Sequence, residues 1–314
     1  MNLKFPYNKA ICYSGYREGQ APGEKCPSYE QIKEDLLILH NHWKYLRLYD
    51  CDEFSETVLS VIRNEHLKLK VMQGAFITAE MNNFGCPWGE TNSEETLISN
   101  KKSNLVKIKK LVELANQYSD IIFSVSAGNE ACVEWTDHYV SEKSVIEYVR
   151  ILKDGIKQPV TFCDNYVPWI TKLKHLAEEV DFISIHTYPV WEYKNIHEAM
   201  EYTKQNYYSV ADLYPNKKVI ITEAGWATNS NGRGINPDNV SEENQAIYVN
   251  DLLKWGKKEN ILTFIFEAFD EPWKGSPEPM EPEKHWGLFK VDRTPKLVIK
   301  KHSLVNTNLK SEIQ

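Results

Sequence analysis

What the chain lacks narrows the field first. No stretch of its 314 residues approaches the ~18 consecutive apolar positions of a membrane-spanning helix. No basic block or stripe stands out. With 37 Lys and Arg against 44 Asp and Glu, the formal charge is −7, so no nucleic-acid partner is expected and a neutral substrate fits better. Six cysteines (Cys12, Cys26, Cys51, Cys86, Cys132, Cys163) lie far apart with no C-x-x-C pair, which removes the common zinc and redox motifs and reads as six free thiols. The turn Cys12-Tyr13-Ser14-Gly15-Tyr16 is not a glycine-rich phosphate cradle, and this argues against an open dinucleotide-binding sheet. The opening, MNLKFPYNKAICYSGY, shows no secretory leader. The expectation is a cytoplasmic chain, or one whose leader lies outside this sequence.

What is present is a regular alternation. Short apolar, β-branched runs fall at 10–15, 45–49, 67–75, 121–127, 159–163, 181–186, 218–223 and 261–267. Such runs suit parallel strands buried on both faces. Helical patterns lie between them. Ser28 with Gln31 forms a capping box ahead of the apolar face Ile32, Leu36, Leu39 and Trp43. Leu105, Ile108, Val112 and Ala115 repeat that spacing. Ser141 and Ser241 open two further helices, and weaker patterns occupy 54–65, 168–178, 195–213 and 295–304. Eight strands alternating with eight helices predict one α/β domain, a (β/α)₈ barrel over residues 1–305, with a polar tail at 306–314. A monomer is expected.

A parallel barrel carries its chemistry at the C-terminal ends of its strands. Those ends hold Glu130 after the fourth strand and Glu223 after the seventh. Two carboxylates flanking a glycosidic bond are what sugar hydrolysis needs. In this reading Glu223 attacks the anomeric carbon and Glu130 is general acid, then base; an ionised carboxylate beside it favours its protonated form. Asn129 is placed to hold the sugar 2-hydroxyl. Seven of the nine tryptophans (Trp88, Trp135, Trp169, Trp191, Trp226, Trp273 and Trp286) follow strands on this side, which predicts a rim of rings that stack on pyranose C–H faces. No metal or other cofactor is expected. His186 ends the sixth strand and reads as a hydrogen-bonding lining residue. Asp50-Cys51-Asp52-Glu53 reads as a solvated acidic turn rather than a calcium loop.

These residues resemble glycoside hydrolase family 17, the β-1,3-glucanases. The acid/base motif ending V-G-N-E is similar to SVSAGNE at 124–130, with Ala127 in place of valine. The nucleophile motif E-[ST]-G-W is similar to TEAGW at 222–226, with Ala224 in place of the hydroxyl residue. The second-strand R-x-Y is met by Arg47 and Tyr49. The eighth-loop pattern is met by Phe269, Glu271 and Lys274, then Glu283, Trp286, Gly287, Leu288 and Phe289. The resemblance runs from Tyr13 to Phe289. It implies hydrolysis of β-1,3-glucan with retention, endo action favoured over exo. It also implies a network of Glu271, Lys274 and Glu283 beneath the nucleophile, and family members are usually secreted or periplasmic. Tyr13, Arg47, Tyr49, Tyr188, Trp226, Phe269, Trp273 and Trp286 complete the expected substrate-binding set. The loops Phe84 to Ser93 and Ala131 to Val140 are expected to set subsite number. Two alternatives stay open: transglycosylation by the same glutamates, and a non-catalytic glucan-binding protein.

Overall fold

The computed structural model describes residues 5–300, so the tail at 306–314 and the 301–304 end of the last helical pattern lie outside the described residues. Eight parallel strands close on themselves in chain order, each hydrogen-bonded to the next and β8 back to β1. They are β1 (Lys9–Cys12), β2 (Tyr45–Leu48), β3 (Lys70–Gly74), β4 (Ile122–Asn129), β5 (Val160–Asn165), β6 (Ile183–His186), β7 (Val219–Ala224) and β8 (Thr263–Ile265). The helices are α1 (Tyr29–Leu39), α2 (Glu53–Asn64), α3 (Glu94–Gln117), α4 (Glu142–Gly155), α5 (Tyr166–Thr171), α6 (Lys174–Glu179), α7 (Ile196–Ala211) and α8 (Glu242–Glu259). A helical turn begins at 297, within the pattern read at 295–304. The (β/α)₈ expectation holds.

Local chemistry explains the elements. Ser28 and Gln31 form the expected capping box at α1, and Ser141 and Ser241 cap α4 and α8. Asp52 accepts the Ser55 N–H at 2.9 Å and starts α2, while Asp50 pairs with Lys107 at 2.8 Å. The acidic turn is therefore a cap and an ion pair. The helix read at 168–178 is in fact two, because the Pro168 carbonyl accepts from both Lys172 N and Leu173 N and the chain turns there.

Strand alternation sorts the core into two clusters. Ile11, Leu46, Val71, Val125 and Ile221 face the helices. Ala10, Cys12, Met72, Cys163, Ile220 and Phe264 form a smaller cluster that fills the barrel interior with Phe5 and Phe182. Small hydroxyls share that interior: Thr161 Oγ1 donates to Phe182 O at 2.7 Å and lies 3.0 Å from Ser184 Oγ. All six cysteines are free thiols. Among the described residues no helix is long and apolar enough to cross a membrane.

Candidate active site

The strand ends converge on one cavity of about 760 Å³, lined by residues at or beyond the C-terminal ends of all eight strands. Both motif glycines are required by space. A Cβ on Gly128 (φ +155°) would meet Phe162 at 2.8 Å and Ile77 at 2.9 Å, and one on Gly225 would lie 2.1 Å from the Phe266 carbonyl. Glu130 itself takes a left-handed backbone, φ +46°, a conformation that a non-glycine residue adopts only where its surroundings hold it. Those surroundings are the β5 edge. Glu130 N donates to Cys163 O at 2.9 Å, and Cys132 N donates to Asp164 Oδ2 at 2.9 Å.

Glu223 pairs in register with His186 across β6 and β7. His186 Nδ1 lies 2.8 Å from Glu130 Oε1 and 3.4 Å from Glu223 Oε2, so one imidazole bridges the two carboxylates. One ligand atom from each of the three residues can be chosen so that all lie within 4.8 Å of one another. Arg47, buried under the cavity, donates to Glu223 Oε1 and to Asn129 Oδ1. Tyr49 and Tyr188 hydroxyls donate to Glu223 at 2.9 and 2.6 Å.

Burial alone would push the Glu223 carboxyl up. The charges of His186 and Arg47 and the Tyr188 hydrogen bond outweigh it and hold the group down at about 2. Burial opposes charge on His186 too, yet Glu223, the Cys163 thiol and Glu130 raise it to about 10. Glu130, His186 and Glu223 could hold a metal by spacing. A protonated imidazole and an arginine-paired carboxylate are poor ligands, however, so the donor set does not suit one.

Eleven of the fourteen expected site residues line the cavity: Tyr13, Tyr49, Asn129, Glu130, Tyr188, Glu223, Glu271, Trp273, Lys274, Glu283 and Trp286. Arg47 acts from beneath it, through Glu223 and Asn129. Trp226 and Phe269, expected among the substrate contacts, do not reach it. Both are fully buried. Trp226 packs on Tyr248 and donates its indole N–H to Asn239 O at 2.9 Å, and Phe269 packs against Tyr13, Phe289 and Arg293. Trp169 is likewise core, bonded to Ser184 O. Five of the seven rim tryptophans line the cavity: Trp88, Trp135, Trp191, Trp273 and Trp286. Trp226→Ala is therefore expected to cost about 3–5 kcal/mol of stability, a fall in melting temperature of roughly 10 °C, rather than to weaken sugar binding. Thermal unfolding followed by circular dichroism checks this.

The expected lysine network also has a different membership. Lys274 Nζ lies 2.6 Å from Glu267 Oε2 and 2.7 Å from Glu271 Oε2, and no ion pair with Glu283 occurs among the described residues. Glu267 was missed. Burial drives its carboxyl well above the usual range despite Lys274, so Glu267 favours its protonated form beside the ammonium that it shares with Glu271. Glu283 lies near and is raised to about 7, chiefly by burial. The charges that do most to keep Glu223 ionised are those of His186 and Arg47.

Comparison with known proteins supports the fold and gives the family. A putative glucan endo-1,3-beta-glucosidase, btgC of Aspergillus niger, is 27% identical over 299 residues, covering 87% of this chain and 40% of the relative. The chain thus spans about two fifths of the length of the Aspergillus relatives it matches. A glucan 1,3-beta-glucosidase of Arthroderma benhamiae is 28% identical, covering 88% of this chain and 86% of its own. Among solved structures, an endo-laminarinase from Formosa Hel1_33_131 superposes with a TM-score of 0.80 at 28% identity, over 96% of this chain and 87% of that one. A glycoside hydrolase family 17 β-1,3-glucanosyltransferase from Rhizomucor miehei shares the fold, with a TM-score of 0.70 at 21% identity over 92% and 95% of the two chains. Residues 10–287 match the BtgE/BtgC glycoside hydrolase domain, and the chain belongs to that family.

Proposed function

We propose that this chain is a retaining β-1,3-glucan hydrolase of the family 17 kind, endo-acting, with Glu223 as nucleophile and Glu130 as acid/base. The observation that carries the reading is the close pair of carboxylates, with oxygens within 4.8 Å and one of them held ionised. Retaining enzymes keep the two groups about 5–5.5 Å apart, whereas inverting ones leave about 6.5–9.5 Å for a water. Glu223 attacks the anomeric carbon while Glu130 gives its proton to the departing oxygen. The glycosyl ester on Glu223 is then hydrolysed by a water whose proton Glu130 takes. Arg47 fixes the Asn129 amide by its oxygen, which leaves the NH₂ group to donate to the sugar 2-hydroxyl. Tyr49 and Tyr188 steady the nucleophile. The endo mode draws support from the relatives described as endo-1,3-glucosidases and as an endo-laminarinase.

Laminarin is the test substrate. Proton NMR during the first minutes should show new reducing ends as the β-anomer, with internal cleavage giving mixed oligosaccharides. A first-formed α-anomer would exclude double displacement. Products longer than a defined starting oligosaccharide would assign the chain to transglycosylation, and binding without product would make it a glucan-binding protein.

A further inference from the structure

Two loops outside the catalytic pair meet beside it. The segments after β3 and β4 are fastened at three successive backbone carbonyls. Asn83 Nδ2 donates to Glu134 O at 2.6 Å and to Thr136 O at 2.8 Å, and the Cys86 thiol donates to Trp135 O at 3.0 Å. Asn82 closes the base of the first loop by pairing with the backbone of Asn92 at 3.0 and 2.7 Å. The second loop is closed where Glu80 N and Met81 N donate to Tyr139 O at 3.0 and 3.2 Å. It is also tied to the acid's own strand, since His138 Nε2 lies 2.9 Å from Asn129 O. A segment held at so many points has little freedom left to lose when a ligand binds.

What this latched structure carries is aromatic. Trp88 and Trp135 line the same cavity as Glu130, yet they are 59% and 38% exposed, and Phe84, next to Asn83, is 85% exposed. Large rings left in water on a fixed support, continuous with a sugar-sized cleft, mark a binding surface. Their side of the cleft follows from the chemistry. Glu130 hands its proton to the leaving oxygen, so the departing sugar rests on the side of the mouth from which Glu130 and the Trp135 loop project.

We propose that the Asn83–Cys86 latch presets Trp135 and Trp88 as a wall for the leaving-group half of the glucan chain, beyond its first sugar, and so sets a preference for long chains. This rests on the hydrolase reading above. Asn83 does not line the cavity and acts here as a positioning residue.

The test compares laminarihexaose with an aryl β-laminaribioside, whose leaving group is too short to reach the wall. Trp135→Ala should lower kcat/KM on the hexasaccharide about tenfold, and several times less on the aryl glycoside. Asn83→Ala should shift the hexasaccharide-to-aryl ratio in the same direction by about threefold, with melting measured alongside. Equal losses on both substrates, or no loss on the hexasaccharide, would overturn the wall. Failure of the wild type to cleave either substrate would sink the hydrolase reading instead. Calorimetric binding of laminarihexaose to wild type and Trp135→Ala then decides the wall on its own: about tenfold weaker binding supports it, equal binding overturns it.

Discussion

Replacing Glu223 by alanine is expected to lower kcat on laminarin by about 10⁴-fold, some 5 kcal/mol of barrier, while binding of glucan oligomers persists. The size follows from the loss of the covalent route. The neighbouring acids have other work: Glu130 is needed as proton donor, and Glu267 and Glu271 are engaged with Lys274. Removing Glu223 also leaves Arg47 and His186 as buried cations without their shared partner. The fold should therefore be checked by circular dichroism, with Glu223→Gln as a companion that keeps the volume and an acceptor oxygen. Azide gives the decisive readout. On an activated aryl glycoside it can enter the space of the lost carboxylate and attack from the same face, giving an α-glycosyl azide. A variant that keeps a tenth of the wild-type rate would remove Glu223 from the nucleophile role. The pH dependence carries a sign as well. The folded Glu223 lies below the usual 4.5, so its ionisation stabilises the fold above that value and the contribution is lost as pH falls toward 2. A fall in wild-type activity between pH 5 and 4 would then have to come from another group.

The strand ends were legible because buried parallel strands read as short apolar runs, and a charged residue closing such a run has few structural uses. Glu130 and Glu223 stood out for that reason, and the same runs predicted the barrel. What the linear pattern could not show is which way a loop residue turns. In TEAGW the sequence places Trp226 one step past a reactive strand end. The close approach of Gly225 to the Phe266 carbonyl then turns the ring outward onto Tyr248 and α8. The acids of the eighth loop were ambiguous for a related reason. Glu267, Asp270 and Glu271 share one short segment, and only the packing sorts them: Asp270 to Lys296 at 2.7 Å, the other two to Lys274. From the sequence His186 reads only as a lining residue. Its bridge between the carboxylates depends on how β4, β6 and β7 are staggered around the barrel, and stagger leaves no local mark in composition. Arg47 is the clearest case of a right residue in a different place. The sequence motif reads as a substrate contact, but Arg47 sits one layer lower and works through Glu223 and Asn129.

Glu130→Gln tests the other half of the pair, and its effect should depend on the leaving group. Glutamine can still accept the His186 Nδ1–H through its amide oxygen, so the strained turn at Glu130 is expected to keep its shape. The proton is what is lost. On laminarin, whose leaving group is a sugar alkoxide, kcat/KM should fall by about 10³-fold, within the usual contribution of a general acid. On a dinitrophenyl glycoside the leaving group needs no proton, so the first step should keep most of its rate and release a burst of phenol. The second step should then stall, because nothing activates water. Azide needs no general base. It should restore turnover and, by attacking the ester on Glu223 from the opposite face, give a β-glycosyl azide. The two variants thus predict azides of opposite configuration from one substrate. Equal losses on laminarin and on the dinitrophenyl glycoside would take the acid role away from Glu130. A β-azide from the Glu223 variant would mean that the two glutamates exchange roles across the same 4.8 Å.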